Sequence, residues 1–345
     1  MQHILQVMEK AAYLAGSITR ATSGRIAIQM TKANERDLVT QSDLQCQRLI
    51  RDVLSKEFPN DLFLGEEEED DVNADGGGKD SATSTIPSSV VLKNSLNSIT
   101  LESGGNEDRL LFVVDPIDGT TNFQAGLPIY AISIGAVSLP PTGKGNDEEI
   151  GGCKPEVVAG VIYNPALNEM ISAVRGRGCY LNNERIRPRN TAATASSSMG
   201  NGNDISRKQQ HQQSILSQSL INVGYPIKST SLLQASSRAI SALSTKVRGL
   251  RIMACASQTM AWVAQSKFDA YIGWDLNAWD VAAGLVIVEE SGGHVCNFDG
   301  SRADITSRDM IITCGSRRGA FSEEADRTLQ DELLQVLRDN NCLEY

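Results

Sequence analysis

The stretch DPIDGTTNF, residues 115–123, follows the apolar run LLFVV without a break. Pro116 fixes its own φ and holds Asp115 extended. A turn after it would aim the carboxylates of Asp115 and Asp118 and the carbonyl of Ile117 at one spot. Hard oxygen donors of this kind suit Mg2+ at roughly 2.1 Å. Gly119 leaves room for a bulky anion against the backbone, and the N–H groups of Gly119, Thr120 and Thr121 would open a helix that favours phosphate. The stretch could so hold a metal on one side and a phosphate on the other. An Asp-Pro turn with a helix cap would account for the same residues without any ligand.

Two further acidic sites enlarge this chemistry. Glu66 and Glu67 come directly after LFLG (62–65), whereas the acids from Glu68 to Asp71 read as a solvated charge run. Asp280 falls in LNAWDVAAG (276–284), in the first turn of an otherwise apolar helix. There an aspartate also complements the helix dipole with no ligand at all. Three acidic sites, each at the end of a buried element, together form a constellation on rigid supports, which is how metal sites are built.

The supports are legible as periodicity. Ile4, Met8, Ala11, Ala15 and Ile18 make one apolar stripe over residues 2–22. A second helix is signalled from Ser42, with Gln45 as in a capping box and Pro59 beyond its end. LLFVV, IYAISIGAVSL and VVAGVIYNP read as strands, and 170–186 as a hairpin with Asn182-Asn183 at its turn. Helices are expected at 257–268 and 278–293. Mixed strands and helices argue for stacked layers of sheet and helix. Three stretches poor in large apolar residues, 68–107, 140–152 and 195–213, read as flexible surface insertions.

Composition bounds the partners. A net charge of −10 argues against nucleic acid or an anionic membrane surface. Any phosphate site must then rest on metal ions or backbone dipoles. Seven scattered cysteines without a C-x-x-C pair read as reduced thiols, and three distant histidines do not suggest zinc. No run reaches the ~18 apolar residues of a membrane span. A soluble cytoplasmic protein is the expectation.

GEE, DPIDGTTNF and WDVAAG, in that order, resemble the signature of the inositol monophosphatase family of metal-dependent sugar-type phosphatases. DLVTQSD (37–43) is similar to a fourth family segment. The similarity runs from about residue 4 to 320 outside the insertions. It implies an α+β fold, a layered αβαβα sandwich of the inositol monophosphatase / fructose-1,6-bisphosphatase type. An N-terminal metal- and phosphate-binding part, 1–157, and a C-terminal part, 158–345, would complete one site. It implies two or three Mg2+ ions held by Glu66, Asp115, the carbonyl of Ile117, Asp118 and Asp280. It gives Thr120 and its carboxylate partner Asp43 the activation of water, with Glu67 close behind and Lys32 near the site. The substrate would meet Glu66, Ile117, Asp118, Gly119, Thr120, Thr121, Ala254, Cys255, Ala256 and Asp280. A lithium-sensitive homodimer acting on a small phosphorylated substrate is part of the same expectation.

The chain departs from the family where substrate is chosen. Animal members carry a glutamate that touches inositol hydroxyls where this chain has Gly273, and the nearest acid is Asp275. Where relatives have glycine and then a hydroxyl residue, this chain has Ala254 and Cys255. A polyol or sugar monophosphate such as inositol monophosphate is the leading substrate. Histidinol phosphate, 3′-phosphoadenosine 5′-phosphate and a non-catalytic phosphate-binding role remain as alternatives.

Overall fold

The computed structural model describes residues 1–25, 28–31, 38–67, 109–139, 155–186, 214–315 and 323–345. The three expected insertions and Lys32 lie outside the described residues. Helix α1 (Gln2–Thr22), the small antiparallel pair β1 (Ile28–Thr31) and β2 (Leu38–Thr40), and helix α2 (Gln41–Glu57) lead into a seven-stranded sheet. Its strands are β3 (Leu62–Gly65), β4 (Arg109–Asp118), β5 (Ala131–Leu139), β6 (Glu156–Asn164), β7 (Glu169–Val174), β8 (Gly178–Leu181) and β9 (Glu184–Arg185), in that spatial order. Between β4 and β5 lies the short helix α3 (Thr120–Gln124). β3 pairs parallel with β4, and the remaining pairs are antiparallel.

Alternation along the strands buries both faces of this sheet. On β4, Phe112 and Val114 join α1 and α2 in one core, while Leu111 and Val113 enter a second core on the opposite face. A strand covered on both sides reads as a continuous apolar run, which is what LLFVV is.

The second core is filled by α5 (Ala256–Ala264) and α6 (Ala278–Glu290). Beyond them stands a five-stranded sheet in the order β11 (Gly249–Arg251), β10 (Leu220–Val223), β12 (Ala270–Gly273), β14 (Met310–Thr313) and β13 (His294–Asn297). Tyr271 of β12 points back to the second core. Ala270 and Ile272 join a third core with α4 (Thr230–Ser244) and α7 (Glu323–Asp339). The layers therefore run helix, sheet, helix, sheet, helix, as the αβαβα expectation had it.

α6 is the hinge of the design. Val281 to Val288 are all buried, so the helix has no polar face, as a helix between two sheets requires. It packs closely on the seven-stranded sheet at two glycines. A Cβ at Gly135 of β5 would stand 2.6 Å from the Ala282 Cβ, and one at Gly160 of β6 would stand 2.5 Å from the Ala283 carbonyl oxygen. The small residues of WDVAAG thus fix the height of Asp280 above β4 and β5.

Several local expectations are corrected. The capping box of α2 is Thr40 with Asp43, not Ser42 with Gln45, because β2 runs straight into the helix and leaves Thr40 extended at the N-cap. The expected hairpin is a three-stranded meander. Asn182 and Asn183, at φ +49° and +68°, turn β8 into β9, and a separate turn at 175–177 joins β7 to β8. α5 stops at Ala264 and α6 at Glu290, followed by Ser266 at φ +54° and Gly292 at φ +89° respectively. Finally, DPID does not leave its strand. Asp115 pairs with Ser133 and Asp118 with Ala131, so β4 carries one extra residue and bulges before it ends.

Candidate active site

The bulge re-aims the end of β4, so that Asp115 and Asp118 both line one cavity of about 390 Å³. Glu66 joins them from the neighbouring parallel strand. It follows β3 directly, and its N–H donates to the Val114 carbonyl at 3.0 Å. Asp280 enters from the first turn of α6. Oxygens of Asp115, Asp118 and Asp280 lie within 4.8 Å of one another.

Each carboxylate in this trio is pinned by a backbone N–H. Ile117 N–H donates to Asp115 Oδ1 at 3.0 Å, and Ser257 N–H to Asp118 Oδ2 at 2.5 Å. Asp280 Oδ2 accepts from the Asn277 N–H at 2.6 Å and from its side-chain amide at 3.3 Å. Asp280 thus does cap and complement its helix, with Oδ2.

The hydroxyl of Thr120 stands 3.3 Å from Asp43 Oδ1 and 3.1 Å from the Ile117 carbonyl. Asp43 is fully buried, and its Oδ2 accepts from the Thr40 N–H at 2.9 Å and from the Thr40 hydroxyl. Gly119 sits at φ +87°, where a Cβ would press the Ile129 carbonyl at 2.9 Å, so no other residue suits the step from β4 into α3. Ala254 to Ala256 line the same cavity from the start of α5. Cys255 is the N-cap of α5, and its thiol donates to the Asp118 carbonyl at 3.3 Å. Glu67 is buried outside the cavity lining; Gln47 grips its backbone with bonds of 2.7 and 2.9 Å.

The sequence pattern of the inositol monophosphatase family matches residues 1–339. This chain belongs to that family. Among curated relatives, an inositol-1-monophosphatase from Rhizobium meliloti is 28% identical over 314 residues, covering 91% of each chain. A fructose-1,6-bisphosphatase/inositol-1-monophosphatase from Thermotoga maritima is 29% identical and covers 85% of this chain and 84% of that one. A solved IMPase structure from Thermotoga maritima, 26% identical, superposes with a TM-score of 0.66 over 98% of both chains. This inositol monophosphatase family member is accordingly a phosphoric monoester hydrolase.

The family is metal-dependent, and the donors present here fit a divalent cation. All are hard oxygens, and their mutual repulsion calls for positive charge. Burial, then Glu66, Asp118 and Asp280, raise Asp115 well above the usual carboxylate range. Burial, then Asp118 and Glu66, push Asp280 up to about 7, against a smaller downward pull from Asn277 and Lys228. Asp118 is raised by burial and eased down by the donors Ser257 and Cys255.

Several contributors were not singled out in the sequence. Gln47 locks the chain after β3. Asn122 donates from α3 to the carbonyls of Ile129 and Met253 at 2.9 and 2.8 Å, and Asn222 accepts from the Met253 N–H at 3.1 Å, so the two hold the loop carrying Ala254 and Cys255. Lone Asn and Gln residues carry no spacing signal; only their partners across the fold reveal them. Gly273, at the end of β12, is closely packed behind that cavity. A Cβ there would meet Leu276 Cδ1 at 2.5 Å and Tyr271 Cζ at 3.3 Å, so these two cavity-lining side chains fill the space beside it.

Proposed function

We propose that this enzyme hydrolyses a small polyol or sugar monophosphate with Mg2+, two or three ions being held by Glu66, Asp115, the carbonyl of Ile117, Asp118 and Asp280. The observation that carries the reading is the convergence of Asp115, Asp118 and Asp280, from two separate layers, to within 4.8 Å. Bound there, the cations would lower the pKa of an attacking water, neutralise the phosphoryl oxygens and stabilise the departing alkoxide.

The chain's own residues supply position and proton handling. Thr120 can give its single proton to Asp43, which turns its lone pair toward a water as acceptor. Asp43 keeps that direction because Thr40 occupies its other oxygen. Glu67, next in the chain, is gripped through its backbone by Gln47, which would hold Glu66 in place beside the water. The backbone N–H groups at Gly119, Thr120 and Thr121, together with those opening α5 at Ala256, surround the place for a phosphate group. Tyr271, held neutral by burial and by Asp118 and Asp280, contributes a donor to the same wall.

Phosphate release is the test, measured across inositol, sugar, histidinol and nucleotide monoesters. Mg2+-dependent turnover is expected on a polyol or sugar phosphate, with Asp118→Asn reducing kcat at least about a hundredfold, as loss of a group that organises transition-state charge does. Full activity in Asp118→Asn, or turnover independent of divalent ions, would refute the reading.

A further inference from the structure

Arg308, in the segment before β14, lies outside the carboxylate cluster yet is wired into it. Its Nη1 donates to Asn277 Oδ1 at 2.7 Å, and its Nη2 pairs with the carboxylate of Asp275. Asn277 is the N-cap of α6, and its side chain also receives the backbone N–H of Asp280. The far end of the same amide, Nδ2, donates to Asp280 Oδ2. An arginine can only donate hydrogen bonds, so its contact forces Oδ1 of Asn277 toward itself and the NH2 toward Asp280. Turned over, the amide would set its oxygen against the carboxylate and its NH2 against the guanidinium.

Arg308 is itself placed with care. Leu276 N–H donates to its carbonyl at 2.8 Å, and Asp275 N–H donates to Asp309 Oδ1 at 2.9 Å. Asp275 sits at φ +53°, a left-handed conformation that these contacts hold in place. The segment before β14 and the turn before α6 are thus clamped together across the sheet.

We propose that Arg308 is a positioning residue of this site: through Asn277 it fixes the carboxylate of Asp280 in the orientation that receives a divalent cation. This rests on the reading of Asp280 as a metal ligand. The sign of the effect distinguishes it from plain electrostatics. Removing a positive side chain near a cation site should tighten cation binding, whereas losing the orientation of a ligand weakens it, typically by about tenfold or more.

Mg2+ binding to metal-stripped protein tests this, titrated calorimetrically for the parent, Arg308→Ala, Asn277→Ala and the double variant, with a cooperative melt required of each. Arg308→Ala is expected to weaken Mg2+ about tenfold. In the Asn277→Ala background the same change is expected to add less than about twofold, because the path runs through Asn277. Parent-like or tighter binding by Arg308→Ala, or an equal loss in both backgrounds, overturns the proposal. Should Arg308→Ala fail to fold, Arg308→Lys carries the test. One ammonium cannot span both acceptors as the guanidinium fork does, so weaker binding is expected and parent-like binding overturns the proposal. A parent protein that bound no Mg2+ would remove the metal-site reading as well, whereas a binding parent with unaffected variants removes this proposal alone.

Discussion

At the scale of single residues, each carboxylate of the trio is fixed by a backbone N–H. Asp280 caps α6 with Oδ2, Asp118 takes the Ser257 N–H on Oδ2, and an oxygen of each lies within 4.8 Å of the other and of one from Asp115. The cost of gathering these groups is electrostatic. In the metal-free protein Asp280 is raised from 3.8 to about 7 by burial, Asp118 and Glu66. A carboxylate whose folded pKa lies above its unfolded value favours the fold while protonated, and that contribution is lost as pH rises through the folded value. Divalent cations bind the ionised form, so protons compete with them. The gap between melting temperatures with Mg2+ and with chelator should therefore widen from about pH 5.5 to about pH 7.5. A gap that stays constant or narrows over that window contradicts the assignment of Asp280.

At the scale of elements, small residues set how closely α6 approaches the seven-stranded sheet, beside polar contacts at its two ends. Gly160→Ala would drive a methyl group toward the Ala283 carbonyl oxygen, 2.5 Å away. Backbone cannot swing aside as a side chain can, so a loss of about 1–3 kcal/mol is expected. Urea unfolding with an unchanged m-value measures it, and parent-like stability would show that α6 can lift from the sheet. How much of this was legible in sequence follows from the range of the interactions. The stripe of α1 and the apolar run of β4 are set by local periodicity and were readable. So were Asp115, Asp118 and Asp280 as acids at the ends of buried elements. The bulge of β4 was not, because it depends on pairing with Ser133 and Ala131 of β5. The cap of α2 was misplaced because two adjacent polar pairs satisfy the same local rule, and only β2 decides that Thr40 is the extended one. Gln47 and Arg308 act on backbone and amide groups remote in the chain, and nothing in their neighbourhood announces it.

At the scale of the whole molecule, the five layers serve to bring acids from separate layers to one cavity. β3 and β4 of the seven-stranded sheet supply Glu66, Asp115 and Asp118; the central helical layer supplies Asp280; the five-stranded sheet and its loops supply the facing wall with Lys228, Tyr271, Asp275 and Leu276. The family match and the geometry agree on phosphate ester hydrolysis. The central claim is that the gathered carboxylates exist to hold divalent cations. Crystals soaked with Mn2+ and measured at the manganese absorption edge test it most directly. An anomalous peak enclosed by Asp115, Asp118 and Asp280 is predicted. Well-ordered carboxylates with no peak among them would contradict it.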